Sequence, residues 1–149
     1  MSDEFVPGLR FESGAHELWA MLIGVLPEWE QRMTRASKAT GLSPVSVWAL
    51  VQLDPRQPIT QKELAGRLKC NPSTVVDPTD RLEEAGYVVR RPNPHDRREN
   101  ELVVTSKGAA LRRRLIARLL EPPAALGDLS TREQSRFSAI LEAVIKPAG

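Results

Sequence analysis

The sequence predicts a mainly α-helical protein with one small β-hairpin, arranged as a winged helix-turn-helix. Apolar residues recur at three- and four-residue spacing through most of the 149 residues, which is typical of amphipathic helices. The period changes to two in "YVVRR" and "ELVVT", which are rich in β-branched residues and predict a hairpin. Short helices before such a hairpin, with longer helices at both ends of the chain, make up this fold class.

Length and composition indicate a single domain that is large enough to bury its own core. The chain is 41% hydrophobic and 27% charged, which is ordinary for a globular protein. Cys70 is the only cysteine, so no internal disulfide can form and a reducing cytosol is the expected setting. The first residues, "MSDEFVPGLR", do not have the pattern of a signal peptide, and no stretch is long enough to span a bilayer. We therefore expect a cytoplasmic protein without a membrane partner.

The charge of the chain is unevenly distributed. Residues 60–118 hold 13 basic and 8 acidic residues, a balance of +5, whereas the remainder holds 8 basic and 11 acidic residues, a balance of −3. A basic middle between acidic ends is typical of a protein that binds a polyanion. A solvated basic face is the alternative that charge alone leaves open.

Three helices are predicted before the middle of the chain. "HELWAMLIGVLPEWEQRM" has a broad apolar face, and Pro27 should kink this helix. "LSPVSVWALVQLD" predicts the second, with Ser43 as N-cap and Pro44 at the first helical position. "TQKELAGRL" predicts the third, because Thr60 and Glu63 have the spacing of a capping box.

The stretch "CNPSTVVDPTDRLEEAGYVVRR" holds two helix-start signals six residues apart. Asn71-Pro72 is one and Asp77-Pro78 is the other, because proline is favourable in the first turn of a helix and costly inside one. An interior Pro78 would lose the hydrogen bond to the carbonyl of Thr74 and clash with that turn, at about 3 kcal/mol or more. We therefore expect a helix that starts at Asn71-Pro72, kinks near Asp77, and restarts with Asp77 as a partial cap.

The hairpin has a long basic tip, "PNPHDRREN", and helices follow it. "SKGAALRRRLIARLL" predicts a helix that Pro122 and Pro123 end. Ser130 and Glu133 have the spacing of another capping box, which predicts a final helix to about Lys146.

The helices at both ends of the chain have more apolar surface than a small central module can cover. We assign residues 9–38 and 107–146 to these outer helices and residues 41–108 to the central lobe. The outer helices are expected to pack against the same helices of a second subunit, which gives a homodimer. Folding back on their own domain is the alternative.

Four segments of the central lobe have a family-specific order and spacing. They are "KELAGRL" before the turn, "PSTVVDxxDRLEEAGYVVR" in the recognition helix and first wing strand, "DRR" at the wing tip, and "VTSKG" at the next helix. Together they resemble the multiple antibiotic resistance regulator (MarR) family of bacterial transcription factors. The resemblance implies one MarR-like domain over residues 1–149 that acts as a homodimer on double-stranded DNA. It also implies a pseudo-palindromic operator, with repression and a small-molecule effector as the family's usual mode.

The recognition helix offers four candidate DNA contacts. Recognition helices contact base edges mainly from their N-terminal half, where Ser73 and Thr74 supply hydroxyl groups. Capping of the first turn is the alternative for both. Asp77 is poorly placed against a phosphate but could accept a hydrogen bond from a cytosine amine. Arg81 suits either a phosphate or an intrahelical pair with Asp77 or Asp80.

The wing tip offers the stronger candidates. Arg97 and Arg98 are expected to reach a flanking minor groove, whose narrow, negative shape suits a guanidinium. The resemblance implies that Asp96 supports the wing by pairing with an arginine and does not contact DNA. Four more basic residues are candidate phosphate contacts: Arg90, Arg91, Lys62 and Lys69. Any of these four could instead be solvated.

The resemblance also predicts sites of regulation. Effector pockets in this family lie between the first long helix and the DNA-binding lobe. The residues that could line such a pocket here are His16, Trp19, Trp29 and Trp48. Core packing is the alternative for these aromatic residues. Cys70 is a candidate redox switch, but a small apolar residue that fills the turn before the recognition helix is the favoured interpretation.

The sequence gives little support for an enzymatic function. The two histidines, His16 and His95, lie in different elements, and neither a P-loop nor a dinucleotide-binding glycine motif is present. A metal site would need more histidine or cysteine. We therefore expect no enzymatic activity, cofactor or metal. The rival function is a winged-helix dimer that has lost DNA binding through Pro78 and serves as a protein-interaction module, against which the intact "DRR" wing argues.

Overall fold

The computed structural model describes residues 10–145 of the chain. The expectations for the N-terminal stretch, for residue 9 and for Lys146 lie outside the described residues. The elements in chain order are α1 (Gly14–Ile23), α2 (Leu26–Thr40), α3 (Pro44–Gln52), β1 (Ile59–Thr60), α4 (Gln61–Leu68), a 3₁₀ turn (Pro72–Val75), α5 (Val76–Glu84), β2 (Val88–Pro92), β3 (Asn100–Val104), α6 (Ser106–Leu119), α7 (Ala124–Gly127) and α8 (Thr131–Ile145). This order confirms the mainly α-helical winged helix-turn-helix. The chain divides into two compact units between Leu119 and Leu120.

The core of the first unit lies where α3, α4 and α5 meet the sheet. Its largest buried side chains are leucines that are at most 1% exposed: Leu50, Leu53, Leu64, Leu82 and Leu102. Each fully buried leucine contributes about 1.5–3 kcal/mol relative to an exposed one. These leucines therefore hold the recognition segment against the rest of the lobe.

The sheet has three antiparallel strands in the order β1-β3-β2. The β2–β3 hairpin runs from the Val88–Val104 pair to the Pro92–Asn100 pair, which confirms the predicted wing. β1 was not predicted, because its two residues carry no recognisable period. It adds to the free edge of β3 through the pair of Ile59 with Leu102.

The predicted starts of α3 and α4 are confirmed. The Ser43 hydroxyl accepts a hydrogen bond from the Ser46 amide at 3.1 Å. In the capping box, the Thr60 hydroxyl accepts from the Glu63 amide at 3.2 Å, and the Glu63 carboxylate accepts from the Thr60 amide at 2.7 Å. The bond from the Thr60 amide holds the pKa of Glu63 below its ordinary value. These caps satisfy amide groups that the first helical turn leaves without partners.

The predicted kink at Pro27 is a complete break. α1 ends at Ile23 and α2 begins at Leu26, with Gly24 and Val25 between them. Pro27 is the second residue of α2. A continuous helix would bring its ring against the carbonyl of Ile23, whereas the first turn of a new helix tolerates proline well.

The "VTSKG" segment joins the hairpin to α6. Thr105 donates its hydroxyl to the Gly86 carbonyl at 2.7 Å and accepts from the Gly108 amide at 3.0 Å. A Cβ atom at Gly108 would lie 2.0 Å from the carbonyl oxygen of Tyr87. Only glycine permits this approach, so the segment fixes where α6 leaves the wing.

The second unit contains α7 and α8. Ser130 and Glu133 form the predicted capping box before α8, with the Glu133 carboxylate accepting from the Ser130 amide at 2.8 Å. No residue of α8 is buried. Among the described residues, no helix is long and apolar enough to cross a membrane.

Candidate nucleic-acid interface

The recognition segment consists of a short 3₁₀ turn followed by an α-helix. The 3₁₀ turn spans Pro72–Val75, and α5 spans Val76–Glu84. In a continuous α-helix the ring of Pro78 would collide with the carbonyl of Thr74, so the residues before Val76 form the tighter turn. Pro78 is the third residue of α5, a position whose nitrogen has no partner within the helix in any case.

The predicted restart of this helix is present but lies two residues earlier. Val75 occupies the N-cap position and makes no side-chain cap bond, while Asp77 is the second residue of α5. The predicted role of Asp77 as a partial cap is therefore wrong. The first start is where it was predicted, since the Thr74 amide donates to the Asn71 carbonyl at 2.9 Å. Because Pro78 does not interrupt α5, it no longer supports a loss of DNA binding.

The recognition segment has a buried side and an exposed side. Val75, Thr79 and Leu82 are fully buried. The Thr79 hydroxyl donates to the Val75 carbonyl at 2.5 Å, which joins α5 to the 3₁₀ turn. Ser73 and Thr74 are exposed within that turn. Their hydroxyl groups are therefore accessible at the N-terminal end of the segment.

α5 is an acidic helix. Its charged side chains are Asp77, Asp80, Arg81, Glu83 and Glu84. The guanidinium of Arg81 lies 3.5 Å from the carboxylate of Asp77 and 3.7 Å from that of Glu84. All three side chains are exposed, and exposed pairs at this spacing are weak. The sequence predicted Asp77 or Asp80 as the partner of Arg81. The structure places Arg81 beside Asp77 and Glu84.

Arg90 on β2 balances the other two carboxylates of α5. Its guanidinium donates to Asp80 at 2.6 Å and also donates to Glu83, while its Nε donates to Gln61 of α4 at 3.4 Å. Its side chain is only 20% exposed. Burial alone would lower the pKa of Arg90, but the bonds to the two carboxylates outweigh it and raise the pKa. Arg90 therefore joins α4, α5 and the wing, and its guanidinium is occupied within the protein.

The other three candidate phosphate contacts are more accessible. Arg91 pairs with Glu101 on the neighbouring strand, yet 53% of its side chain is exposed. Lys62 is exposed on α4. Lys69 is exposed at the end of α4 in the left-handed conformation, with φ of 53°. Each can present an ammonium or guanidinium to solvent.

The wing tip is a short closed loop. The Asn93 amide donates to the Glu99 carbonyl at 2.9 Å, and the Glu99 amide donates to the Asp96 carbonyl at 3.0 Å. The Asp96 carboxylate accepts from the Arg98 amide at 3.0 Å. Asp96 thus supports the tip through a backbone amide, and within residues 10–145 it makes no ion pair. Arg97 and Arg98 are exposed, and no ion pair with a described residue holds either guanidinium.

The arrangement of turn, recognition segment and wing matches a known family. Residues 42–100 match the model of the MarR family. Over these residues the chain resembles a MarR-family domain. A curated relative of the chain is the HTH-type transcriptional repressor MdtR of Bacillus subtilis (strain 168). It is 30% identical over 91 residues, which are 61% of this chain and 56% of MdtR. The chain spans about half the length of the curated relatives it matches.

Solved MarR-family structures share the fold over most of their length. CouR from Rhodococcus jostii RHA1, crystallised with p-coumaroyl-CoA, is 26% identical with a TM-score of 0.71, over 93% of this chain and 99% of CouR. A mutant MarR from E. coli in complex with operator DNA is 21% identical with a TM-score of 0.67, over 86% of this chain and 93% of that one. At this identity, the second likeness shows the fold alone.

A cleft of about 800 Å³ opens beside the recognition segment. It lies among α2, α3, the end of α4 and the 3₁₀ turn. Residues in its wall include Trp29, Glu30, Met33, Trp48, Leu68 and Thr74. The two tryptophans contact edge to face, with ring centroids 5.2 Å apart and planes at 86°. The sequence did not indicate that Thr74 would face this cleft, because that depends on how the turn packs against α2 and α3.

Two of the four predicted pocket residues line this cleft, and two do not. Trp29 and Trp48 belong to its wall, whereas His16 and Trp19 lie on α1 and are exposed. Cys70 also lines the cleft and packs, partly buried, against the core. That packing agrees with the role of a small apolar residue. No group of three or more potential metal ligands occurs within residues 10–145.

Proposed function

We propose that this protein is a DNA-binding transcriptional regulator that acts as a homodimer on a pseudo-palindromic operator. One observation carries the proposal: a single lobe combines an exposed recognition turn with an exposed basic wing tip. Ser73 and Thr74 offer hydroxyl groups suited to base edges and phosphates. Arg97 and Arg98 offer guanidinium groups suited to a minor groove. The names of the relatives support the same class of function.

The proposed homodimer is supported by two exposed apolar faces, one in each unit. On α1, Leu18, Trp19 and Met21 are at least 54% exposed. On α8, Phe137 and Ile140 are at least 44% exposed. Contiguous exposed apolar surface marks protein interfaces. A two-fold dimer would present two recognition segments to successive major grooves.

We further propose that the protein is a cytoplasmic repressor and that a small molecule in the cleft controls it. MdtR is named as a transcriptional repressor, and CouR was crystallised with a bound acyl-CoA. A ligand that prefers one arrangement of the dimer shifts the population away from the form that fits DNA. The cleft beside the recognition segment is a suitable place for such a ligand.

The test is fluorescence-anisotropy binding to the DNA immediately upstream of the gene for this protein. A scrambled duplex of equal length is the control, and both duplexes are titrated at 50 and 200 mM salt. We expect a preference of roughly 1,000-fold or more for the upstream DNA. We also expect affinity to fall steeply with salt, because phosphate contacts release counterions.

The acidic charge of α5 favours one rival, a winged-helix dimer that serves as a protein-interaction module. Four carboxylates on a helix that faces a polyanion oppose binding unless arginines balance them. The rival predicts weak binding that is equal on both duplexes and on pooled genomic fragments. It also predicts that replacing Arg98 with alanine has no effect on that binding. Sequence-preferring binding that requires Arg98 would exclude this rival.

A further inference from the structure

The cleft beside the recognition segment combines an apolar wall with one unbalanced charge. Trp29, Trp48, Met33 and Leu68 are among its apolar residues, and Glu30 adds a carboxylate. None of the residues that line it is a lysine, arginine or histidine. Within residues 10–145, no ion pair neutralises Glu30. A bound molecule would therefore meet indole rings and one carboxylate, in a wall that contains no basic side chain.

These groups select among ligands by charge. The face of an indole ring attracts a cation, and the exposed carboxylate of Glu30 adds a direct Coulomb attraction that salt weakens. A ligand with its own carboxylate or phosphate would instead be repelled by Glu30. The cleft thus differs in chemistry from a site for an anion such as the acyl-CoA in the CouR structure.

We propose that the effector of this regulator is a cationic aromatic small molecule, an arylalkyl ammonium, held against Trp29 and Trp48 with its charge at Glu30. The volume of about 800 Å³ is within the range of small-molecule sites. This inference rests on the proposed function, because an effector presupposes a DNA-binding regulator. The chemistry of the cleft can nevertheless be measured without DNA.

The position of Thr74 supplies the coupling to DNA. Thr74 lines the cleft and also belongs to the 3₁₀ turn that we assign to base contacts. A ligand in the cleft touches this turn directly, and the hydrogen bonds of a 3₁₀ turn have poorer geometry than those of an α-helix. The ligand therefore weakens DNA binding, and DNA weakens ligand binding by the same factor.

Three probes that share one ring system test the charge selection: naphthylmethylammonium, naphthylmethanol and naphthoate. Each is titrated into the full-length protein by calorimetry in the absence of DNA. Cys70 is the only cysteine and lines the cleft, so its rate of alkylation by iodoacetamide reports occupancy independently. We expect the ammonium to bind roughly tenfold or more tighter than the alcohol, with naphthoate weakest, and to slow alkylation of Cys70.

The variant Glu30→Gln removes the charge and keeps the shape. It should bring the affinities of the ammonium and the alcohol together. Glu17→Gln, which changes an exposed carboxylate on α1 outside the cleft, should leave the preference unchanged. Naphthoate binding as tightly as the ammonium would overturn the proposal. So would a preference that survives Glu30→Gln, or binding that leaves Cys70 unprotected.

A second measurement isolates the regulatory step. Anisotropy titrations of the upstream duplex are repeated with saturating naphthylmethylammonium, and we expect affinity to fall roughly tenfold. An unchanged affinity, with the cleft shown to be occupied, would overturn the coupling through Thr74. If the protein binds no duplex at all, the proposed function fails, while the probe titrations still decide the chemistry of the cleft.

Discussion

The recognition segment and the wing tip differ in whether their charged side chains form ion pairs. On α5, each carboxylate has an arginine within ion-pair distance: Arg81 lies beside Asp77 and Glu84, and Arg90 binds Asp80 and Glu83. At the wing tip, the guanidinium groups of Arg97 and Arg98 are exposed, and the local carboxylate accepts from a backbone amide. The comparison teaches that affinity for phosphate should come mainly from the wing, while the helix contributes shape and base contacts.

Replacing both wing-tip arginines should have the largest effect. We expect Arg97→Ala with Arg98→Ala to lower affinity for the upstream DNA by roughly 100-fold. The slope of log affinity against log salt should become shallower by about 1–2, because phosphate contacts are lost. Arg35→Ala, an exposed arginine on α2, is the control and should change neither quantity. An unchanged slope in the double variant would show that the wing does not touch phosphate.

Arg90→Met should have the next largest effect, by a different route. The change leaves Asp80 and Glu83 without their arginine, so the unfolding free energy should fall by about 1–2 kcal/mol. DNA affinity should fall roughly tenfold, with an unchanged salt slope, because Arg90 positions α5 and does not contact phosphate. Thermal melting and salt-dependent anisotropy measure these quantities.

Arg90→Lys is the matched variant for this position. A lysine would restore a simple phosphate contact, but it lacks the planar fork that binds two carboxylates at once. We therefore expect lysine to rescue neither affinity nor stability fully. Full recovery of affinity and stability in Arg90→Lys would show that Arg90 contacts DNA. A slope of log affinity against log salt that is shallower by about 1 in Arg90→Met would show the same.

Pro78→Leu should have a smaller effect that appears in specificity. It gives residue 78 an amide hydrogen and removes the ring that excludes the Thr74 carbonyl, so α-helical bonding can extend into the 3₁₀ turn. Far-ultraviolet circular dichroism should show more helix. The ratio of affinities for upstream and scrambled DNA should change a few-fold as Ser73 and Thr74 move. An unchanged spectrum and ratio would mean that the turn does not depend on proline.

Asp77→Asn should have the smallest effect. It distinguishes between two roles of Asp77, repulsion of phosphate and acceptance of a hydrogen bond from a cytosine amine. If this exposed carboxylate only repels phosphate, its loss should raise affinity for scrambled DNA by roughly two- to threefold. If it accepts a hydrogen bond from a cytosine amine, affinity for the upstream DNA should instead fall roughly tenfold. Anisotropy on both duplexes separates these outcomes.

Local signals in the sequence predicted much of the fold. The capping boxes before α4 and α8 were predictable because both partners lie within one helical turn. The hairpin was predictable from its period of two. β1 was not, since two residues cannot show a period. The restart of the recognition segment was misplaced by two residues, because the sequence showed where proline disfavours a helix but not that a 3₁₀ turn would precede it.

Contacts between elements could not be predicted in the same way. Arg90 looked like the other basic residues of the wing, yet its partners lie 7, 10 and 29 residues away along the chain. Only the packing of β2 against α5 brings them together. Likewise, Trp29 and Trp48 were candidates for a pocket because of their type, but the presence of Thr74 in the same cleft depends on the tertiary fold.

The 3₁₀ turn has a consequence for how operator preference can diversify. The turn lies outside the α-helical hydrogen-bond ladder of α5, so its stability does not depend on the α-helix propensity of Ser73 and Thr74. β-branched, amide or charged side chains can replace them at little cost to the scaffold, which is held by buried leucines and by Arg90. A library randomised at these two positions should therefore contain many folded members, and new DNA preferences can arise there by single steps without compensating changes elsewhere.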